Sequence, residues 1–383
     1  MYLTHLSLTD FRNIRRLELD LQPGLVLFAG PNAQGKTNLL EAIYLCATTR
    51  SLRTVSDLEL VREGAEAEGP PAARAACTFV RHGDTFTVEV IVAPRGWPAV
   101  SSQAARRIRV NGVPRRATEV VGLLAAVFFS TLDVELVTGP PAARRRFFDL
   151  LLAQTVHGHA TELNRYARVL RQRNQLLRTL REQGGDEAQL DYWDDLLAAG
   201  AAAISTARAA VTPALALHAA AAHAALAPGE SLTIDYRPAA PSGVAPPTDA
   251  SSWRAAFRHE RRRELAAGMT LHGPHRDDLS FALNGRPLAS FGSRAQQRTS
   301  ALALRLAEAA VMEERLDEPP VLLLDDILSE FDPERRLAAL SHVAGVSQAL
   351  LTSPDPAHFA GVPLAAAWHV HAGTLRPLAL ERA

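Results

Sequence analysis

Gly30-Pro31-Asn32-Ala33-Gln34-Gly35-Lys36-Thr37 sets two glycines around four residues and follows them with Lys-Thr, the spacing of a phosphate-binding loop. Glycine lets the backbone curl until successive N–H groups point inward at phosphate oxygens. The flanks agree. Leu25-Val26-Leu27-Phe28-Ala29 is a short continuous apolar run, which predicts a strand buried on both faces. Thr37 to Thr48 then carries Leu39, Leu40, Ile43, Tyr44 and Leu45 at helical spacing, and the N-terminus of that helix adds partial positive charge. Gly30, Pro31, Asn32, Ala33, Gln34 and Gly35 are therefore expected to wrap the phosphates of ATP. Lys36 is expected to neutralise the β- and γ-phosphates and serve catalysis, and Thr37 to offer its hydroxyl to Mg2+. Lys36 is the only lysine among 41 basic residues. Where a GC-rich coding bias replaces lysine by arginine, lysine survives where a compact ammonium and a planar fork are not equivalent.

Far downstream, Val321-Leu322-Leu323-Leu324-Asp325-Asp326 reads as a buried strand ending in acid, with its C-terminal edge turned toward phosphates. Asp325 is expected to hold Mg2+, directly or through water, and Asp326 to orient or activate the attacking water. Between the two motifs, Ser293-Arg294-Ala295-Gln296-Gln297 opens a helical pattern from Gln296 to Leu316. Two readings of Ser293 stand. One is an ordinary helix N-cap. The other is an ABC-type signature, in which Ser293 and Gln296 serve the γ-phosphate of ATP held by another subunit. Ile327-Leu328-Ser329-Glu330-Phe331-Asp332-Pro333-Glu334 follows the acidic pair as a D-loop would, with Asp332 in it. Thr352 ends the next apolar strand at the switch position. Phosphate loop, signature, acidic strand, D-loop and switch come in the ABC order.

The chain has 383 residues, enough for two domains. The antiparallel part is marked by Cys77–Val80 and Phe86–Val92 around His82-Gly83-Asp84, and by Asn111-Gly112, a two-residue hairpin signal. Asn284-Gly285 repeats that signal. From about residue 140 helical periodicity takes over, through Arg144–Leu152, Ala160–Leu180, Ala188–Leu217 and Ser252–Ala267. The expected architecture is α/β: an ABC-type ATPase head with mixed sheet and antiparallel β part, and a mainly helical second lobe without a long coiled coil. Its expected division is 1–130 with 265–383 for the head and 131–264 for the arginine-rich helical lobe. Formal net charge is zero, so any nucleic-acid surface is local. Cys46 and Cys77 read as reduced, packed thiols, and no cysteine or histidine cluster has metal-site spacing. Met1 to Leu8 alternates polar and apolar residues, unlike a signal peptide. Leu196 to Leu226, though apolar, carries Arg208, His218 and His223 and reads as an alanine-rich packed helix rather than a membrane span. A cytoplasmic protein is expected.

Over nearly its whole length the chain resembles the RecF family of ABC/SMC-like ATPases. The resemblance rests on Asp10-Phe11-Arg12-Asn13, and on Val137-Thr138-Gly139-Pro140 followed by Arg144-Arg145-Arg146-Phe147-Phe148-Asp149. It extends through Thr270-Leu271-His272-Gly273-Pro274-His275-Arg276-Asp277-Asp278-Leu279 to Leu322-Leu323-Leu324-Asp325-Asp326-Ile327-Leu328-Ser329-Glu330. It implies ATP contacts from Arg12 and Asn13, dimerisation on ATP, and binding to double-stranded DNA and single-strand/double-strand junctions. It also implies work with RecR and RecO to place RecA at single-stranded gaps, with slow hydrolysis. Two positions depart from pattern. Ala295 stands where the signature usually has glycine, and Asp326 reaches about one methylene less than the glutamate of transporter-type ATPases. Both favour weak turnover, with ATP as a dimerisation switch.

For DNA, Arg106, Arg107 and Arg109 lie beside a hairpin. Arg165, Arg168, Arg171, Arg173, Arg178 and Arg181 lie on one long helix pattern, in which Arg165, Arg168 and Arg171, spaced by three, could share a face, and Arg254, Arg258, Arg261, Arg262 and Arg263 repeat the pattern. Such stripes either neutralise phosphates or are solvated faces made arginine-rich by coding bias. Two alternatives to the repair reading are an ABC transporter ATPase subunit, and an SMC-like chromosome-maintenance ATPase lacking its coiled coil.

Overall fold

The computed structural model describes residues 1–52, 56–94, 104–241, 246–326, 331 and 333–379. The chain divides into two compact units, Met1–Asp133 with Ala225–Pro228 and Leu302–Ala383, and Val134–Ala224 with Gly229–Ala301.

The first unit is built on two sheets. One is antiparallel, in the order Ile14–Asp20, Tyr2–Phe11, Ala73–Arg81, Asp84–Pro94, Ala104–Val110, Val113–Pro114. Its alternating residues Leu6, Leu8, Cys77 and Val90 all point into the core, as a period of two requires. The turn at Asn111-Gly112 takes φ of 49° and 77°, the left-handed pair that a two-residue hairpin needs. The other sheet is mixed, in the order Thr374–Pro377, Leu364–His371, Gly24–Ala29, Gln348–Ser353, Val321–Asp325, Ala126–Ser130. Every pair in it is parallel except the Leu364–His371/Thr374–Pro377 edge hairpin. Its central strands are the unbroken apolar runs of the sequence, buried on both faces. Helix Lys36–Thr48 packs against strands of both sheets. Leu39, Leu40, Ile43 and Cys46 are wholly enclosed, each large aliphatic contributing about 1.5–3 kcal/mol over exposure. Cys46 and Cys77 are buried free thiols.

In the second unit, helices His159–Gln183, Gln189–Leu226 and Ala250–Ala267 enclose Tyr166, Val169, Leu197, Ile204, Trp253 and Phe257, and helix Pro141–Thr155 packs on the first of them. Helix Gln189–Leu226 is long and apolar enough to cross a membrane. It nevertheless presents Asp194 and Arg208 to the unit's interior, where both are ion-paired. This unit is not purely helical: Arg286–Pro287, Asp278–Leu283 and Leu232–Arg237 form a three-stranded sheet. The sheet explains why the division falls at 301/302 and not at 264/265. Asp278–Leu283 pairs along its length with Leu232–Arg237, and Asp277 and Asp278 bind Arg208 and Arg144. Residues 327–330 and Asp332 of the expected D-loop, like residues 242–245, lie outside the described residues.

Candidate nucleotide site

The site lies at the C-terminal ends of the parallel strands, where open α/β sheets bind ligands. Gly30 and Gly35 take φ of 147° and 108°. A Cβ on Gly30 would run into the Val370 carbonyl, and one on Gly35 would sit 2.6 Å from Asn13 Oδ1. Both glycines are therefore dictated by close backbone approach as well as by φ. Asn13 Nδ2 and the Gly373 N–H both donate to the Gln34 carbonyl at 3.0 Å, and the Ala372 N–H donates to Gln34 Oε1 at 2.8 Å. The loop is thus held from outside by the first hairpin and by the edge hairpin of the mixed sheet.

Lys36 folds into the loop it closes. Its Nζ donates to the Gly30 carbonyl at 2.6 Å, the Pro31 carbonyl at 2.9 Å and Asn32 Oδ1 at 3.5 Å. Burial pushes this ammonium below the usual lysine range, while Asp326 and Asp325 pull it back up. Neutral carbonyls are weaker partners for an ammonium than anionic oxygens, so Lys36 is poised to exchange them for phosphate.

The strand register sets Asp325 level with Thr352. Asp325 Oδ1 accepts from Thr37 Oγ1 at 2.7 Å and from Thr352 Oγ1 at 2.9 Å. Thr352 Oγ1 in turn accepts from the Asp326 N–H at 2.9 Å. Asp326 itself takes φ of 53°, leaving the extended conformation where the strand ends. One hydroxyl thus fixes the Asp325 carboxylate and the Asp326 backbone, and the Thr37–Asp325 pair supplies oxygen ligands of the kind a hard divalent cation takes.

Arg12 and Asn13 flank this cradle, and an open polar cleft of about 690 Å3 lies there, lined by Arg12, Asn13, Asn38, Glu59, Arg62 and Glu63. Asn13 reaches the loop directly. Arg12 is engaged within the fold: Nε and Nη2 each donate at 2.9 Å to buried Glu41, and Nη1 donates to the Glu59 carbonyl at 2.9 Å.

Ser293 caps helix Arg294–Leu316. Its Oγ accepts from the Gln296 N–H at 3.2 Å, while its own N–H donates to Gln296 Oε1 at 2.9 Å, a reciprocal capping box. Ser293, Arg294 and Ala295 are exposed. The N-cap reading is thus observed, and it is compatible with the signature reading, since a capped and exposed helix end also presents N–H groups.

The arginines separate by burial. Arg107, Arg109, Arg165, Arg168 and Arg171 are exposed. Arg106 is half-buried and bound to the Thr49 carbonyl and Asp57. Arg173, which shares a helix with Arg165, Arg168 and Arg171, is fully buried between Asp194 and Glu264, at 2.7 Å from each. Arg254, Arg258, Arg261 and Arg263 pair with Asp195, Asp191, Asp194 and Glu260, so four of the five arginines of that stripe are engaged within their own unit.

Two segments quoted above for their resemblance meet inside the second unit, which spacing alone did not reveal. Arg144 grips Asp278 at 2.6 and 3.0 Å and donates to the Gly139 carbonyl at 2.8 Å. Arg208 joins Asp149 to Asp277 at 2.7 and 2.9 Å. His275 Nδ1 lies 2.8 Å from the Tyr166 hydroxyl. Burial drives the His275 pKa down to about 4 and the tyrosine's well up, so the tyrosine donates to a neutral ring. The second imidazole of the His-Gly-Pro-His segment, His275, is structural in this geometry.

A family model for the RecF/RecN/SMC N terminal domain matches residues 2–362. The chain is 44% identical to the DNA replication and repair protein RecF of Chloroflexus aurantiacus over 381 residues, covering 96% of each. The chain belongs to the RecF family. A relative from Roseiflexus castenholzii is 40% identical, covering 98% of this chain and all of that protein. Among solved structures, the recombination mediator protein RecF with ATP, of the RecFOR pathway, superposes with a TM-score of 0.86 at 28% identity, over 99% of this chain and 98% of that one. An Smc head bound to the C-winged helix domain of ScpA shares the fold, with a TM-score of 0.56 at 14% identity over 100% and 98%. As a RecF-family DNA replication and repair protein, the chain is set apart from transporter ATPases.

Proposed function

We propose that the chain is an ATP-driven dimerisation switch of recombinational repair: Mg2+·ATP in the cradle draws a second copy over it, the dimer clamps DNA, and slow hydrolysis releases it. The observation carrying this reading is the pre-formed pairing of Lys36 with the Gly30 and Pro31 carbonyls beside Asp325, itself fixed by Thr37 and Thr352. Glycines whose missing Cβ atoms let the loop curl, a buried ammonium and a hydroxyl–carboxylate pair fit a triphosphate and a hard cation together.

Lys36 trades its carbonyls for the β- and γ-phosphate oxygens. Thr37 and Asp325 would hold Mg2+, which would supply charge neutralisation to the phosphates. The base and ribose fit the cleft beside Asn13. Asp326 orients the attacking water and accepts its proton. Ser293, with the N-terminus of its helix and Gln296 behind it, closes on the γ-phosphate held by the other copy. The short reach of Asp326 and the methyl of Ala295 keep turnover low, so bound ATP lasts long enough to act as a signal.

Duplex DNA and single-strand/double-strand junctions would meet the exposed arginines Arg107 and Arg109 in one unit and Arg165, Arg168 and Arg171 in the other, through phosphate contacts. Arg106 is less suited, being held by Asp57. Partnership with RecR and RecO in loading RecA, in the cytoplasm, is the part of this reading that family membership supports. Sedimentation with ATP, with ADP and without nucleotide tests the central claim. The expected result is a dimer with ATP only, lost in Lys36→Met, and a chain that stays monomeric when saturated with Mg2+·ATP would refute it.

A further inference from the structure

Behind the exposed end of helix Arg294–Leu316 runs a chain of polar side chains that the nucleotide site does not explain. Gln296 Nε2 donates to Glu230 Oε1 at 2.7 Å. The other oxygen of that carboxylate, Oε2, lies 2.9 Å from His223 Nε2. His223 is fully buried, and its Nδ1 lies 3.3 Å from Ser300 Oγ. All four residues belong to the second unit.

Hydrogen-bond direction can be read inward from the exposed end as far as the imidazole. Gln296 Oε1 accepts from the Ser293 N–H, so the amide must turn its NH2 toward Glu230. A carboxylate only accepts, so the His223 Nε2 edge that faces Glu230 carries an N–H, while its Nδ1 edge faces the Ser300 hydroxyl. Each member is thereby oriented by the next, and the outermost acts on Ser293, whose N–H and Oγ are both engaged by Gln296. Among the described residues nothing accepts the proton of the Ser293 hydroxyl, and the serine is exposed, so this proton points toward whatever docks there.

We propose that Glu230 and His223 are positioning residues: they fix the Gln296 amide, and through it aim the Ser293 hydroxyl and its helix end at the triphosphate carried by a second copy of the chain. The inference rests on the dimerisation reading above. A simple helix cap would need only the Ser293–Gln296 pair. The enclosed imidazole and the carboxylate behind it serve to remove the rotational freedom of the Gln296 side chain before the second copy arrives, which favours association through preorganisation.

The test exchanges the two ends of the Glu230–Gln296 bond. Gln296→Glu sets two carboxylates against each other at hydrogen-bond range. It should weaken ATP-dependent self-association in sedimentation about tenfold or more, the effect of losing a hydrogen bond to a charged group. Uptake of a fluorescent ATP analogue by the monomer should be unchanged. The double variant Glu230→Gln/Gln296→Glu rebuilds the chain with the donor reversed. Gln at 230 donates to Glu at 296 and still accepts from His223, while Glu at 296 still accepts from the Ser293 N–H. It should restore self-association to within a few-fold of the parent.

If the double variant melts with the parent and binds the analogue yet stays monomeric with ATP, the positioning role is wrong and Gln296 acts outward. Unimpaired dimerisation by Gln296→Glu alone would be equally fatal. Should the parent itself fail to dimerise with ATP, the dimerisation reading falls, and the positioning role with it. Only in that case does the unsubstituted protein fail, so the two failures are distinguishable.

Discussion

Arg12 grips Glu41 with both arms of its fork, Nε and Nη2 each donating at 2.9 Å to a different carboxylate oxygen. Glu41 is completely enclosed, and Ser51 Oγ donates to it as well at 2.6 Å. Arg12→Ala leaves an uncompensated buried charge, an effect of about 3–5 kcal/mol. Urea unfolding should show that loss, whereas Arg107→Ala, on an exposed strand position, should stay within about 0.5 kcal/mol of the parent.

Lys36→Met should weaken ATP binding by about tenfold to a hundredfold, the worth of a hydrogen bond to a charged group expressed as affinity. Lys36→Arg should do no better, because a planar fork does not fit the space between the Gly30 and Pro31 carbonyls. Calorimetric titration with ATP reads both, and arginine restoring affinity would show that the loop does not discriminate by shape.

Ser293→Arg should leave nucleotide uptake by the monomer intact and remove the ATP-dependent dimer, since this exposed residue is proposed to serve the other copy. Sedimentation beside equilibrium binding of a fluorescent analogue separates the two effects. Joint loss of both would mean that Ser293 acts within its own chain.

Asp326→Asn removes the proton acceptor while keeping shape. Single-turnover hydrolysis should fall by about a hundredfold or more, the usual size of a general-base contribution, while dimerisation on ATP persists. If repair survives this change, hydrolysis is incidental to a nucleotide-gated scaffold.

Acid should loosen the second unit through its buried imidazoles. Burial lowers His275 and His159 to about 4, against about 6.5 in the unfolded chain. The unfolded state therefore binds more protons below that value, and the stability contributed by keeping these rings neutral is lost as pH falls from 6.5 toward 4. Each ring accounts for about 3 kcal/mol over the full window. Urea midpoints at pH 7 and pH 5 should differ, and the difference should shrink in His275→Gln.

What the sequence discloses, and what it hides, follows from the range of the interactions. The phosphate loop, the strand before it and the helix after it are contiguous, so apolar periodicity and glycine spacing reach them directly. The Asn-Gly turns are legible because two adjacent residues suffice to set them. Arg173 is different. It sits two positions beyond Arg171 on the same helix and looks the same in sequence, yet it ends between Asp194 and Glu264 because helix packing turns its side of the cylinder inward. The contacts of Arg144 with Asp278 and of Arg208 with Asp277 join segments far apart in sequence, and no local pattern signals them. Strand Leu232–Arg237 is short and lies between a long helix and a proline-bearing loop, and missing it moved the expected boundary between units. Glu230 and His223 carried no motif at all.

The collar around Gln34, made by Asn13 and the turn at Ala372-Gly373, shapes how quickly the protein can respond. Because three hydrogen bonds from two distant hairpins curl the backbone beforehand, little chain ordering remains for the moment of capture. Uptake of nucleotide should then run at a rate set by diffusion and by the escape of Lys36 from its carbonyls, so that the slow, decision-making event of the cycle is the meeting of two loaded chains.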